Sequence, residues 1–120
     1  MTNLVASLST GKDTWGHVGK LINEENWDKI FLVTNSFGKE KFTAKKEIDF
    51  IVIDIDKPME EIKEEIYSQL KSKIKSSETE VALNLYSGSG KEHMAIISSL
   101  LKLGLGIRLM GVTNKGIEEI

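Results

Sequence analysis

Val81-Ala82-Leu83-Asn84-Leu85-Tyr86 runs directly into Ser87-Gly88-Ser89-Gly90-Lys91, and the chain then continues through Glu92-His93-Met94-Ala95-Ile96-Ile97 to Leu103. A short apolar run, a glycine-rich break and a long apolar-periodic segment read as strand, loop and helix, the repeating unit of an α/β domain. The same unit opens the chain. Leu4-Val5-Ala6-Ser7-Leu8 is closed by Ser9-Thr10-Gly11-Lys12-Asp13, and a helix from about Thr14 to Asn23 then presents Trp15, Val18, Leu21 and Ile22 on one face.

Between these units lie two more strands. Ile30-Phe31-Leu32-Val33 is closed by Thr34-Asn35-Ser36, and the lysine-rich stretch from Gly38 to Glu47 reads as a loop or a short helix. Phe50 to Ile55 is β-branched and bounded by acids; Asp54 and Asp56 are read as strand-end and helix-start residues. Pro58 fits the first turn of a helix, where its missing N–H costs nothing. Ile62, Ile66, Leu70 and Ile74 recur every four residues, with Glu60, Glu61, Glu64 and Glu65 early and Lys71, Lys73 and Lys75 late, an order that complements the helix dipole. Gly104 and Gly106 end the last helix, and Ile107 to Val112 makes a fifth strand. Apolar strands alternating with helices predict a Rossmann-like three-layer sandwich over residues 1–120, with a mainly parallel five-stranded sheet; if its order is 3-2-1-4-5, the order reverses between strands one and four.

Composition narrows the function classes. The chain has 120 residues, enough for one domain's core without staples. It has no cysteine, which excludes disulfide scaffolds, thiolate zinc sites and cysteine nucleophiles. No apolar run approaches the ~18 residues of a membrane span and no signal-peptide pattern opens the chain, so a soluble, cytoplasmic protein is expected. The formal charge is -2, and Arg108 is the single arginine among 16 basic residues. Sequence-specific duplex DNA binding leans on arginine and a positive field, and is not expected here.

In such a sheet, ligands bind beyond the carboxyl ends of the strands where strand order reverses, here between strands one and four. The loops Ser9-Thr10-Gly11-Lys12 and Ser87-Gly88-Ser89-Gly90-Lys91 follow those two strands, and both lead into a helix. Glycine lets backbone approach a phosphate, hydroxyls donate to it, lysine supplies charge and the helix start supplies free N–H groups. These residues, with Asn35 after strand two and His93 in the turn beyond the second loop, make a candidate phosphate- or nucleotide-binding crevice; plain surface loops are the alternative.

Neither loop is a Walker A. Ala6 and Leu85 stand where the first glycine belongs, and Asp13 and Glu92 where Ser or Thr should hold magnesium. His93 has two readings, an acid or base beside a bound phosphate and a polar contact at a helix start. No cluster has metal-ligand spacing, so neither a metal nor a cofactor is expected. Trp15 is read as core before base-stacking platform, because it sits at the apolar spacing of its helix.

The helix from Glu92 to Leu103 is apolar on two faces. Ile96, Leu100 and Leu103 lie along one line and Met94, Ile97 and Leu101 along another, more than one sheet can bury. A two-fold homodimer is expected on this helix, with Met94, Ile97, Leu100 and Leu101 at its interface.

In this layout the chain resembles the CARF (CRISPR-associated Rossmann fold) family. The resemblance rests on the Ser/Thr loop after strand one and on Asn84-Leu85-Tyr86-Ser87-Gly88-Ser89-Gly90-Lys91 running into an apolar helix. The family more usually shows Thr-Gly-Gly-Thr-Lys in that loop. The resemblance implies a homodimer that binds cyclic oligoadenylates, second messengers of type III CRISPR defence, in a pocket across the two-fold axis. It implies that Lys91 and the backbone of Gly88 to Gly90 contact ligand phosphates while Ser9, Thr10 and Gly11 line the other wall. It further implies, for members that are ring nucleases, metal-independent cleavage in which Lys91 with Ser9 or Thr10 stabilises the developing charge. Two other classes stay open from the residues themselves, a nucleotide or sugar-phosphate enzyme and a non-catalytic interaction module.

Overall fold

The computed structural model describes residues 2–120. Its single sheet has the strand order β3-β2-β1-β4-β5-β6, with β1 Leu4–Ser7, β2 Ile30–Thr34, β3 Asp49–Val52, β4 Glu80–Asn84, β5 Gly106–Thr113 and β6 Gly116–Glu119. The first five strands are parallel, in the 3-2-1-4-5 order expected for a Rossmann-like sandwich. The sheet has six strands, however, not five. Residues 114 and 115 form a two-residue hairpin loop, and β6 returns antiparallel to β5 with Thr113 opposite Gly116. Gly116 has φ 101°, a conformation that a tight hairpin needs and that glycine adopts without strain.

Helices α1 (Trp15–Glu24) and α2 (Ser36–Lys41) cover one face, and α3 (Met59–Lys73) and α4 (Gly90–Lys102) the other. A 3-10 turn, Lys12–Thr14, leads into α1. Each central strand feeds both layers. Phe31 and Val33 of β2 join the α3/α4 core, while Ile30 and Leu32 of the same strand join the α1 core. This two-sided burial is why the strands are apolar without alternation. The α3 stripe Ile62, Ile66 and Leu70 is fully buried, and each such side chain contributes about 1.5–3 kcal/mol relative to exposure. Pro58 stands at the N-cap of α3, one residue before the first helical turn.

Two sequence expectations change here. The third strand ends at Val52, and Asp54 to Lys57 form a turn closed by Lys57 N–H donating to Asp54 O at 3.1 Å. Leu100 does not belong to an interface. It is fully buried with Ile96 in the core between α4, α3 and the sheet, whereas Met94 and Leu101 are 65% and 62% exposed and Ile97 is half-buried. Helical spacing identified two apolar lines on α4, and the sheet takes the one that carries Leu100.

Leu100→Ala is therefore expected to lower stability by about 2–5 kcal/mol in urea unfolding. The association state of the folded protein, measured by sedimentation, stays as in the wild type.

Candidate functional site

The loops after β1 and β4 leave the sheet toward opposite faces, so a crevice opens between them at the carboxyl edge. Its geometry is set by Ser87, which is fully buried. The Ser87 Oγ accepts the backbone N–H of Ser9 at 2.8 Å, lies 2.5 Å from Thr14 Oγ1 and 3.1 Å from Ser9 Oγ. The Ser87 carbonyl accepts the hydroxyl of Ser7 and the ring Nε2 of His93, the latter at 2.8 Å. A carbonyl only accepts, so His93 Nε2 carries a proton and anchors the second loop. Ser87, a ligand contact expected from the sequence, is buried here and joins the two loops from within.

Trp15 holds the first loop from the α1 side. Its Nε1–H donates to Ser9 O at 2.8 Å, and its ring packs at 6.1 Å from Phe37 and edge-on at 5.6 Å from Phe42. It is thus a packed residue with one polar task, as its spacing indicated. Lys12 Nζ lies 5.7 Å from the ring centroids of both Trp15 and Phe37, and Thr10, Gly11 and Lys12 are exposed.

Between the loops lies a cleft of about 220 Å³, whose walls are Leu8, Val33, Ile53 and Ile55 and whose rim is Ser9, Thr10, Asn35, Gly88, Ser89 and Glu92. Ser9, Thr10, Asn35, Gly88 and Ser89 of the expected site come together here. Gly11, Lys12, Gly90, Lys91 and His93 do not line it. Lys91 reaches the β3–α3 turn, where its Nζ donates to Ile55 O at 2.7 Å. Asn35 caps α2, its Oδ1 accepting Gly38 N–H at 2.9 Å, which leaves its Nδ2 as a donor.

Glu92, in sequence a departure from a phosphate-loop motif, has a structural task here. It forms a capping box with Ser89 at the start of α4, accepting the Ser89 N–H at 2.8 Å and the Ser89 hydroxyl at 3.2 Å. The Ser-x-x-Glu spacing was a readable signal for it. Gly88, at φ 100°, lies beneath this carboxylate, and a Cβ there would strike Glu92. Of the four free N–H groups at a helix start, the box leaves those of Gly90 and Lys91 for an incoming anion.

A second cluster lies on the β4–β5 side. The Asn84 side chain donates from Nδ2 to Met110 O at 2.8 Å, and its Oδ1 accepts Tyr86 N–H at 3.2 Å. The same Nδ2 lies 3.1 Å from His17 Nε2. An amide nitrogen only donates, so His17 is a neutral imidazole with its proton on Nδ1. Its ring stacks on Tyr86, centroids 3.8 Å apart and 4° from parallel. Asn84 thus ties β4 to β5 and α1 while fixing the backbone one residue before Ser87.

Among the described residues no helix is long and apolar enough to cross a membrane, and no group of His, Cys, Asp or Glu could hold a metal ion. Arg108 is engaged by Glu119 at 2.9 Å and Glu80 at 3.5 Å across neighbouring strands.

The strand order and the cleft define a Rossmann-like α/β protein with a crevice at the switch point between β1 and β4. No protein-family profile and no curated protein sequence matches the chain. Among solved structures it is similar to Enterococcus italicus Csm6 bound to cyclic hexa-2'-fluoro-hexa-dAMP, with a TM-score of 0.63 and 15% identity. The match covers 95% of this chain and 34% of that one, so the chain spans about a third of that protein's length. The chain shares the Rossmann-like fold of the matched part of that protein.

Burial holds the His17 pKa below the ordinary imidazole value, in keeping with its acceptor role. With the folded pKa below the unfolded one, its contribution is complete above about pH 6.5 and is lost as pH falls through the folded value. His17→Gln, which keeps an acceptor for Asn84 and does not titrate, is expected to lose less stability than the wild type between pH 7.5 and pH 5 in urea unfolding.

Proposed function

We propose that the chain is a ligand-sensing domain that binds a cyclic oligoadenylate in a pocket completed by a second copy of itself. The observation that carries this reading is the pair of Ser/Gly loops at the switch point, locked to one another by Ser87 and opening onto a partly apolar cleft. A nucleotide ring needs apolar surface for its bases and backbone donors for its phosphates, and this edge offers both. The likeness to a structure containing a cyclic hexanucleotide supports the choice of ligand class.

The second copy has its place on α4. Met94, Ile97 and Leu101 form an apolar flank, with Ser98 between them allowing close approach. Two copies related by a two-fold axis along this flank bring the α4 N-termini, with Gly88 to Gly90 and Lys91, near one another. Lys91 then serves the phosphates by exchanging the Ile55 carbonyl for a phosphate oxygen, and Ser9, Thr10 and Gly11 form the opposite wall. In ring cleavage, Lys91 with the hydroxyl of Ser9 or Thr10 would stabilise charge on a phosphate attacked by the neighbouring 2′-hydroxyl, which gives up its proton as the P–O5′ bond breaks to leave a 2′,3′-cyclic phosphate and a protonated 5′-hydroxyl.

The test is thermal unfolding with cyclic tri-, tetra- and hexa-adenylate, with the products examined chromatographically. A ring at a hundred times its Kd is expected to add about 2.7 kcal/mol of stability. Lys91→Ala, which removes a charge-assisted hydrogen bond, is expected to weaken binding about tenfold or more. Linear products would make the protein an enzyme. No shift with any ring would overturn the reading, and a mononucleotide bound once per monomer would replace it with a nucleotide enzyme.

For the association, Leu101→Glu is expected to sediment as a monomer where the wild type sediments as a dimer. A monomeric wild type with and without ligand would overturn the shared pocket.

A further inference from the structure

His17 does not line the cleft, yet its ring lies against the loop that forms one side of it. The link is Asn84, whose buried amide has three bonds and only one way to make them. Its Nδ2 donates to Met110 O at 2.8 Å and its Oδ1 accepts Tyr86 N–H at 3.2 Å, which leaves the second Nδ2 hydrogen for His17 Nε2 at 3.1 Å. Turning the amide over would set Oδ1 against the Met110 carbonyl and Nδ2 against the Tyr86 N–H. Two backbone groups that cannot change character therefore fix Asn84, and Asn84 fixes His17 as an acceptor.

A second proton on that ring has no place here. Both nitrogens of an imidazolium donate, so flipping the ring only presents Asn84 with another N–H. Burial opposes the charge as well. The pocket that His17 borders is lined by Asn84 from β4, Met110 and Thr113 from β5 and Tyr86 from the β4 loop among apolar residues, and of these Tyr86 alone titrates. Along the chain, Asp13 and Lys20 stand about a turn to either side of His17, both exposed and opposite in sign, so they offset one another. The Tyr86 face, stacked on the imidazole at 3.8 Å, tolerates a cation. The contact that fails is the one to Asn84, and a ring that moves off Asn84 displaces its stacked partner too.

Tyr86 immediately precedes Ser87, whose Oγ holds the first loop through Ser9 N–H at 2.8 Å. We propose that His17 is a proton-operated catch on the β4 loop. Neutral, it completes the bonding of Asn84 and seats Tyr86; protonated, it lets Tyr86 shift and loosens the Ser87 junction, so the crevice keeps its width only while His17 is uncharged. His93 does not share this behaviour, because its Nε2–H donates to Ser87 O whether the ring is neutral or charged. The inference concerns the crevice itself and does not depend on which ligand fills it.

The test is magnetic resonance on the free protein between pH 7.5 and pH 4.5. At the upper limit the His17 ring nitrogens are expected to report the tautomer with its proton on Nδ1. As His17 titrates, protection from exchange at the Tyr86 and Ser9 amides, which Asn84 Oδ1 and Ser87 Oγ hold, is expected to fall about tenfold or more once the intrinsic pH dependence is removed. The core amides of Ile66 and Leu70 in α3 keep their protection, which separates the effect from acid unfolding. His17→Gln, an acceptor that does not titrate, is expected to hold Tyr86 and Ser9 within about threefold across the range. A neutral His17 with its proton on Nε2 overturns the inference. So does a ring that stays neutral down to pH 4.5, or Tyr86 and Ser9 protection that does not follow its titration. These results are read on the wild type alone and stand even if the variant fails to fold. An equal loss of protection in a folded His17→Gln would assign the effect to another group and overturn the inference as well.

Discussion

One buried hydroxyl sets the geometry of the carboxyl edge. Parallel strands at a switch point send their loops to opposite faces, so the backbone ladder that joins β1 to β4 stops where the site begins. Beyond that point Ser87 takes over. It holds the first loop by its side chain, through Ser9 N–H and Thr14, and its own loop by its carbonyl, through Ser7 and His93. A buried hydroxyl is tolerable only when bonded, and the same bonds that satisfy Ser87 fix the width of the crevice. Trp15 from α1 and Asn84 from β4 brace the two loops one step further out.

This arrangement explains a distribution of charge that composition conceals. Lysine supplies 15 of the 16 basic residues, yet none lines the cleft. A lysine beside a glycine loop invites the reading of a phosphate ligand, but an ammonium on a long stem goes where acceptors and aromatic faces are. Lys91 finds a carbonyl and Lys12 finds two rings. Glu92, on a shorter stem and tied into a capping box, is held at the cleft rim. The polarity of the site is therefore divided, with backbone donors at the helix start and an acceptor beside the apolar walls.

The fold was largely legible because it is written in two periods. Continuous apolar runs at Ile30–Val33 and Val81–Tyr86 announced doubly covered strands, and the four-residue stripe from Ile62 to Leu70 announced α3. The last strand was not legible in that way. Ile117 is flanked by Gly116, Glu118 and Glu119, and an edge strand covered on little of its surface needs no apolar run. The Asn114-Lys115-Gly116 turn was the available signal. At the site, loop composition located the crevice but not which side chains face it. Ser87 and Ser89 look alike in sequence, yet one is wholly buried and the other exposed, a difference made by long-range bonds to residues 73 to 80 positions away. On α4, spacing separated two apolar lines but could not say which the sheet would claim.

The division of α4 links the two halves of the proposed function. Its buried line, Ile96 and Leu100, fixes the helix to α3 and the sheet, so the helix moves as part of the core. Its N-terminal turn carries the Gly88–Gly90 loop, and its outer line, exposed Met94 and Leu101 with half-buried Ile97, begins four residues beyond that loop's last glycine. If a partner packs on that line, it buries the flank of the same rigid element whose first amides are the proposed ligand donors. Ligand binding and association then act on one helix, and whatever free energy the ligand gains from the paired state it must return as tighter pairing. A sensor needs no separate relay under these conditions, because the sensing turn and the pairing flank belong to one element.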